Sequence, residues 1–245
     1  MKASQRRKGA KDKRFARCGE SWDNGDMKTS APPDVDWICF DLDNTLYPLG
    51  NGLWQVIDAR IQAYVSQLLG APLDEARRIQ KHYWRQYGTT LAGLMAEHGA
   101  EPGPYLAFVH DFDVTPYVQP SASLRALLAA LPQRKIIFTN ASVQHARNVL
   151  AALGVASFFE KIVGVEMTGF VPKPDVRAYA RCVAETGVNP RRSMFLDDMP
   201  KNLQPAKAMG MVTVLVSDTM PEEAEFIDYH LTRVEELAKI FHIER

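Results

Sequence analysis

The chain has 245 residues, of which 46% are hydrophobic, enough to fill one large domain or a core domain carrying a smaller insert. Lys and Arg together number 29, as do Asp and Glu, so the overall charge does not indicate a nucleic acid or an anionic membrane as partner. No apolar run approaches the ~20 residues that span a bilayer, no secretory signal is visible, and the cysteines (Cys18, Cys39 and Cys182) form no C-x-x-C pair. We therefore expect a cytoplasmic protein with reduced thiols rather than disulfides or a zinc site.

Residues 1–33 differ in composition from the rest of the chain. They contain nine Lys or Arg against four acidic residues, and few large apolar residues. This composition is typical of a flexible, solvated basic tail. A weak anion-binding arm formed by Arg6–Lys8 and Lys11–Arg17 is the alternative, although charge runs at chain ends are usually only solvated.

The first predicted strand, Val35 to Asp41, is a short run rich in β-branched and aromatic residues that ends on a carboxylate. Further candidate strands are residues 135–138, 193–196 and 211–216, with a short final one at 228–231. Sequence of helical character separates them. Short apolar strands that alternate with helices predict an α/β fold with a Rossmann-like parallel sheet.

Residues 48–118 interrupt this alternation, since they contain no convincing strand. Apolar residues recur there at three- or four-residue spacing and predict one face of a helix, namely Leu53, Ile57, Ile61, Val65 and Leu68. Gly70 and Pro72 stop that helix, and further helical segments follow near 73–87, 90–98 and 103–111. We predict an all-helical insert over residues 50–118, with the core formed by residues 34–49 and 119–245.

Polar residues fall at the ends of the predicted strands. They are Asp41 and Asp43, Thr139 and Asn140, and Asp197 and Asp198, with Lys173 in a loop between two prolines. Active sites in open parallel sheets lie beyond the carboxyl ends of the strands. We therefore expect these side chains to converge on one crevice.

The chemistry of that crevice follows from its residue types. Asp41 and Asp43 project to the same side of extended backbone, and a second carboxylate pair beside them would raise some of their pKa values unless a cation were present. A hard divalent ion with oxygen ligands, most naturally Mg²⁺, fits that need. One carboxylate could attack phosphorus and another transfer protons, while Lys173 and Thr139 stabilise the phosphoryl group together with N–H groups of the following helix.

Each motif also has a purely structural explanation. An isolated D-x-D sequence is often a strand-end turn, and Thr139-Asn140 before a helix is usually an N-cap. Asp197 and Asp198 could cap a helix that starts near Lys201. Four polar groups at consecutive strand ends, in this order, nevertheless favour an active site.

The motifs resemble those of the haloacid dehalogenase superfamily over about residues 35–218. They are Asp41 to Thr45, Thr139-Asn140, Lys173 and Asp197-Asp198. The resemblance implies Asp41 as nucleophile, Asp43 as general acid and base, and phosphate binding at Thr139, Asn140 and Lys173. It also implies Mg²⁺ held by Asp41, the Asp43 carbonyl and the Asp197-Asp198 pair, with Asp198 favoured as the direct ligand and Asp197 acting through water. The insert resembles the helical cap of that family, which would close over the substrate.

A narrower resemblance is to the pyrimidine 5′-nucleotidase subfamily. It rests on Phe40 to Pro48, Tyr87 to Leu94, Val109 to Asp111, Phe138 to Ala141, His145-Ala146 and Leu203 to Gly210. The implied substrate is a pyrimidine nucleoside monophosphate. Related members act on other small phosphate esters, so a sugar phosphate or pyridoxal phosphate is the alternative. We expect a small phosphorylated metabolite as partner, no nucleic acid or membrane, and a monomer or small homo-oligomer.

Two rival functions remain. A hydrolytic dehalogenase uses the same aspartate nucleophile on carbon but needs neither Asp43 nor a metal held by Asp197 and Asp198. A catalytically silent phosphate-binding module would not need the complete motif set.

Several cap and core residues are open to two interpretations. Tyr83, Trp84 and Tyr87 could stack on a base, yet aromatics at helical spacing are more often core residues. His110 and His145 are interpreted as hydrogen-bonded packing residues rather than acid–base catalysts. Cys39 is assigned to the core. Gly88 is expected to end one helix and Thr89 or Thr90 to cap the next, a role that is compatible with substrate contact by the same segment.

Overall fold

The computed structural model describes residues 31–222 and 224–243. Its centre is a six-stranded, all-parallel sheet in the order β3-β2-β1-β4-β5-β6. The strands are β1 (Trp37–Phe40), β2 (Arg134–Phe138), β3 (Lys161–Val163), β4 (Ser193–Asp197), β5 (Val212–Val216) and β6 (Tyr229–Leu231). The first strand in sequence thus lies in the middle of the sheet, between β2 and β4.

Helices surround this sheet on both faces. They are α1 (Leu53–Leu69), α2 (Leu73–Tyr87), α3 (Thr90–His98), α4 (Pro102–His110), α5 (Ala122–Ala130), α6 (Val143–Leu153), α7 (Val176–Thr186), α8 (Pro200–Ala208) and α9 (Leu237–Ile240). Short 3₁₀ helices lie at Ala156–Phe158, Pro190–Arg192 and Val234–Glu236. None of the helices in the described residues has the length and apolarity needed to cross a membrane.

The central strand β1 is apolar throughout because both faces of the sheet are covered. Ile38 and Phe40 belong to one hydrophobic cluster, whereas Trp37 and Cys39 belong to a second cluster on the opposite face. The alternation follows from the two-residue period of a strand. Cys39 is a buried core residue, as expected, and both Cys39 and Cys182 are free thiols.

Helices α1–α4 lie between β1 and α5 in the chain and pack on one another. Gly70 ends α1 in the left-handed conformation, with its N–H donating to Ser66 O, and the Thr89 hydroxyl caps α3 by accepting from Ala92 N. Helices α2 and α3 approach closely at Gly93, where a Cβ would lie 2.4 Å from the Cβ of Tyr83. These contacts form the helical layer that the sequence predicts.

The predicted fold class is confirmed: a parallel α/β sheet with an inserted set of helices. The edge strand β3 was not among the predicted strands. It has only three residues, begins with a lysine and is incompletely buried, so it lacks the apolar run that identifies its neighbours. The boundaries of the cap at residues 50 and 118 stay a prediction. The predicted tail lies outside the described residues except for residues 31–33.

Candidate active site

The carboxyl ends of β1, β2 and β4 bring the predicted polar residues to one edge of the sheet. Asp41 follows β1 directly and is tied to the neighbouring strand by its N–H, which donates to Leu196 O at 2.9 Å. The chain then turns back, with Leu46 N donating to Leu42 O at 3.0 Å and Asn44 in the left-handed region at φ 63°. This turn separates the surroundings of Asp41 from those of Asp43.

Lys173 lies at the centre of the acidic cluster. Its Nζ atom donates to Asp41 Oδ1 and to Asp197 Oδ2, each at 2.7 Å, and to Phe138 O at 2.8 Å. The side chain is only 1% exposed. Burial alone would lower the pKa of Lys173, but the charges of Asp197 and Asp41 outweigh it and the pKa is raised. Lys173 is therefore a permanent cation between two carboxylates.

Asn140 holds the backbone of Lys173 in place. Its Oδ1 atom accepts from Lys173 N at 2.8 Å, and its Nδ2 atom donates to Lys173 O at 3.1 Å. Because its side-chain amide is engaged in this way, Asn140 would bind a phosphate through its backbone N–H. Gly88, in the turn between α2 and α3, packs against the loop that carries Lys173, because a Cβ there would be 3.3 Å from Lys173 O.

Asp41, Asp197 and Asp198 could share a metal ion, since one oxygen of each lies within 4.8 Å of the others. Burial, together with neighbouring negative charge, raises the pKa of Asp41 to about 7 despite the opposing effect of Lys173. Burial and the charges of Asp41 and Asp197 raise the pKa of Asp198 to about 8. Carboxylates crowded in this way fit a hard divalent cation with oxygen ligands, such as Mg²⁺.

Asp197 and Asp198 differ in how far the protein already uses their oxygens. Asp197 is fully buried, and its Oδ1 atom accepts from Met199 N and Asn202 Nδ2, each at 2.9 Å. Its Oδ2 atom is occupied by Lys173. This arrangement leaves Asp198 as the more available direct ligand.

Asp43 contacts a tyrosine hydroxyl and a histidine ring rather than a lysine. Tyr47 OH donates to Asp43 Oδ1 at 2.5 Å, and His145 Nε2 lies 2.8 Å from the same oxygen. Burial raises the pKa of Asp43, but His145 and Tyr47 together outweigh burial, and the pKa is lowered. His145 itself is completely buried in the first turn of α6, where its N–H donates to Ser142 Oγ at 3.1 Å.

Thr139 directly follows β2, and its hydroxyl oxygen is already engaged as an acceptor. Ala141 N donates to Thr139 Oγ1 at 3.0 Å, and the residue is 2% exposed. The hydroxyl hydrogen is therefore left to donate to a bound anion. The N-cap interpretation of Thr139-Asn140 does not describe this end, because Ser142 is the residue that caps α6.

Some residues at the site were not singled out from the sequence. Tyr47 and Thr45 follow Asp43 and Asp41 by four residues, and Thr45 Oγ1 donates to Asp41 Oδ2 at 3.3 Å. That repeated four-residue spacing was a usable signal. Asn202 gave none, because its role depends on how α8 folds back against β4.

The fold and these side chains define a hydrolase of the α/β type, with an acidic crevice at the strand ends and helices inserted after the first strand. A family model described as haloacid dehalogenase-like hydrolase matches residues 35–210. The match covers well over half of the chain, and the chain belongs to that family.

Individual relatives are more distant. Phosphate metabolism protein 8 of Saccharomyces cerevisiae is 27% identical over 205 residues, which cover 77% of this chain and 64% of that protein. The GMP/IMP nucleotidase YrfG of Escherichia coli is 26% identical over 193 residues, 73% of this chain and 81% of that protein. The chain spans less than two thirds of the length of the first curated relatives it matches.

Solved structures share the fold. The HAD-hydrolase YfnB of Bacillus subtilis, a structure bound to magnesium, superposes with a TM-score of 0.58 at 20% identity. The superposition covers 85% of this chain and 99% of that one. The similarity extends over both the sheet and the inserted helices.

Proposed function

We propose that the protein is a Mg²⁺-dependent phosphomonoesterase that acts on small phosphorylated metabolites through an aspartyl-phosphate at Asp41. The observation that carries the proposal is the pairing of Asp41 with Lys173 beside the Asp197-Asp198 pair. Asp43, two residues on, has separate partners. Two aspartates in different surroundings suit a nucleophile and a proton-transfer group.

The reaction has two displacements at phosphorus. An oxygen of Asp41 attacks, the ester P–O bond breaks, and Asp43 gives its proton to the departing alcohol oxygen. Asp43 then takes a proton from water, the water oxygen attacks phosphorus, and the bond to Asp41 breaks. Inorganic phosphate and the free Asp41 carboxylate result. Lys173 and the Thr139 hydroxyl stabilise the negative charge on the phosphoryl oxygens.

Asp41, Asp198 and the Asp43 carbonyl would hold the Mg²⁺ ion, with Asp197 acting through water. When bound, the ion supplies positive charge that offsets the crowded carboxylates and the phosphoryl oxygens. The site is suited to the ion because Lys173 neutralises only one of the three neighbouring carboxylates, and negative charge remains on the other two. The relative YfnB has been solved bound to magnesium, and this adds support from the family.

Relatives named for phosphate metabolism and for a nucleotidase support a small phosphate ester as substrate. Within that class we propose a pyrimidine nucleoside 5′-monophosphate, from the subfamily resemblance of the motifs. The GMP/IMP nucleotidase among the relatives makes purine nucleotides the natural competitor. A sugar phosphate or pyridoxal phosphate is the alternative in the same class. A cytoplasmic location, expected from the sequence, belongs to the same proposal.

The experiment is a panel of UMP, CMP, AMP, GMP, a sugar phosphate and pyridoxal phosphate, with phosphate release measured with and without Mg²⁺. We expect Mg²⁺-dependent release, with higher kcat/KM for UMP and CMP, and none from Asp41→Asn. Equal rates on all four nucleotides would remove the pyrimidine assignment alone. Chloride release from a haloacid without Mg²⁺ would favour the dehalogenase, and no release from any ester would favour a binding module.

Trp84 is the aromatic that best supports a nucleotide. Tyr83 and Tyr87 hydrogen-bond within the cap, to His98 and Glu97. Trp84 instead meets the core, where Lys201 Nζ of α8 lies 4.4 Å from its ring centroid. It is 39% exposed, so part of its surface is free, and Lys201 lies in the first turn of α8, shortly after Asp197 and Asp198.

Replacing Trp84 with alanine tests whether this ring contacts the base. Base–aromatic stacking is worth about 1–3 kcal/mol, so kcat/KM for the preferred nucleotide should fall roughly 5- to 150-fold. p-Nitrophenyl phosphate, which has no base, should be cleaved almost as before. Trp54→Ala is the matched control, because Trp54 is 38% exposed on α1. Equal losses on both esters would show that Trp84 does not select the nucleotide.

A further inference from the structure

Asp43 has one of its two carboxylate oxygens fully occupied. Tyr47 OH and His145 Nε2 both approach Oδ1, at 2.5 and 2.8 Å. A carboxylate oxygen has two lone-pair directions, and with the ring hydrogen of His145 assigned to Nε2 the two donors fill them. The proton that Asp43 transfers must therefore reside on Oδ2.

The contact with Asp43 explains the histidine at position 145 better than packing does. Its ring is completely buried, and Asp43 is the hydrogen-bond partner of its Nε2 atom. Its Nδ1 atom is buried without a hydrogen-bond partner among the described residues. An unsatisfied buried nitrogen costs free energy that an apolar side chain would avoid. Packing alone therefore does not explain a histidine at this position.

The cap holds the other side of the His145 ring. His110, the last residue of α4, stacks on it with ring centroids 4.6 Å apart and an interplanar angle of 27°. The end of α4 is fixed in turn by Arg60 of α1, whose Nε atom donates to Phe108 O at 2.8 Å. The orientation of the His145 ring thus depends on a helix of the inserted layer.

We propose that His145 is a positioning residue that confines the transferable proton of Asp43 to Oδ2, and that His110 seats the His145 ring from the cap. This inference rests on the proposed phosphatase function, in which Asp43 protonates the departing alcohol. Neither histidine needs to touch the substrate. Their effect is on how well Asp43 is aimed at the leaving group.

The test uses two esters of similar size whose leaving groups need different help. p-Nitrophenol departs as a stable anion without protonation, whereas the alkoxide of benzyl phosphate requires a proton from Asp43. kcat/KM reports the steps up to departure of the alcohol. The ratio of the two kcat/KM values does not depend on how much of a variant is folded, since both are measured on one preparation.

For His145→Leu we expect the benzyl-to-nitrophenyl ratio to fall about 10- to 100-fold, a part of the ~10²–10⁴ that a general acid contributes. His145→Gln, which keeps a donor on a side chain of similar reach, should restore much of it. His230→Leu is the control, because it removes another half-buried histidine hydrogen bond, to Ser217 O. An unchanged ratio in His145→Leu would overturn the inference.

The cap contribution is tested separately at His110. His110→Phe keeps a flat ring and should leave the ratio unchanged, whereas His110→Ala should lower it by a smaller factor than His145→Leu. An unchanged ratio in His110→Ala would overturn the cap part of the inference. Failure of the proposed function would look different, since the unaltered enzyme with Mg²⁺ would then release phosphate from neither ester.

Discussion

Asp41 and Asp43 are two residues apart, yet their carboxylates lie in contrasting surroundings. Asp41 belongs to a charged group with Lys173, Asp197 and Asp198, here called the phosphate-side cluster. Asp43 belongs to a group with Tyr47 and His145, here called the proton-side cluster. The turn after β1 separates the two clusters.

The contrast shows how one D-x-D sequence can hold two roles. In the phosphate-side cluster, crowded charge raises the pKa of Asp41 and Asp198. In the proton-side cluster, burial raises the pKa of Asp43, but His145 and Tyr47 outweigh it and the pKa is lowered. In the proposed mechanism, the neighbours of each carboxylate, rather than its residue type, would distinguish a metal-binding nucleophile from a proton carrier.

The largest effect is expected from Asp43→Asn in the proton-side cluster. The amide oxygen can still accept from Tyr47 and His145, but the side chain can no longer give or take a proton. Turnover of an alkyl ester should fall roughly 10²- to 10⁴-fold. With p-nitrophenyl phosphate, Asp41 should still be phosphorylated, and the phosphoenzyme should persist because no base activates water.

Intact-mass measurement after incubation with p-nitrophenyl phosphate checks this expectation. Asp43→Asn should carry an added phosphoryl group, whereas the double variant with Asp41→Asn should carry none. Phosphate release at the unaltered rate from Asp43→Asn would mean that the two aspartates do not divide the roles in this way.

Lys173→Met should produce the next largest effect, on stability as well as on activity. It removes the cation from between Asp41 and Asp197. The side chains of these two residues are only 10% and 0% exposed, so water cannot replace that cation. Removing one partner of a buried ion pair destabilises by about 3–5 kcal/mol. Added Mg²⁺ should restore part of the loss, because it supplies positive charge to the same carboxylates.

Urea unfolding in the presence of a chelator measures the loss. Lys161→Met is the matched control, since Lys161 and its partner Glu185 have side chains 37% and 45% exposed. An exposed pair of this kind contributes about 1 kcal/mol or less. Similar losses of unfolding free energy in the two variants would show that the buried ion pairs of Lys173 stabilise the fold no more than an exposed pair does.

The sequence predicted the phosphate-side cluster better than the proton-side cluster. Asp41 and Asp197 stand at the ends of recognisable strands, and parallel strands bring their carboxyl ends together. Lys173 lies in the loop before α7, where its two flanking prolines mark it. His145 lies in a helix that follows β2, so its meeting with Asp43 depends on how α6 packs against the turn after β1. A lone histidine on an amphipathic helix carries no sign of that contact.

The fold was predictable for a similar reason. The central strand β1 is a continuous apolar run, and β4 is buried throughout with an apolar centre at residues 194–196, because both strands are covered on both faces. The edge strand β3 pairs on one side only and carries a lysine, so its pattern does not separate it from a loop.

The dependence of stability on pH isolates the phosphate-side cluster. The pKa of Asp41 is raised to about 7 and that of Asp198 to about 8, above the ~3.9 of an unfolded aspartate. From about pH 4 to about pH 8 the folded state therefore holds more protons than the unfolded state, so the free energy of unfolding falls as pH rises. Asp43 has a lowered pKa and acts in the opposite sense, at a pH below that range.

Thermal unfolding from about pH 5 to about pH 8 with a chelator should show this fall, and Mg²⁺ should reduce it by binding the ionised carboxylates. Asp198→Asn should flatten the dependence, because an amide does not titrate. Asp74→Asn should leave it unchanged, since Asp74 is an exposed carboxylate paired with Arg78 on α2. If the dependence were equally steep in all three proteins, the crowded carboxylates would not be its source, and the contrast between the two clusters would lose its electrostatic basis.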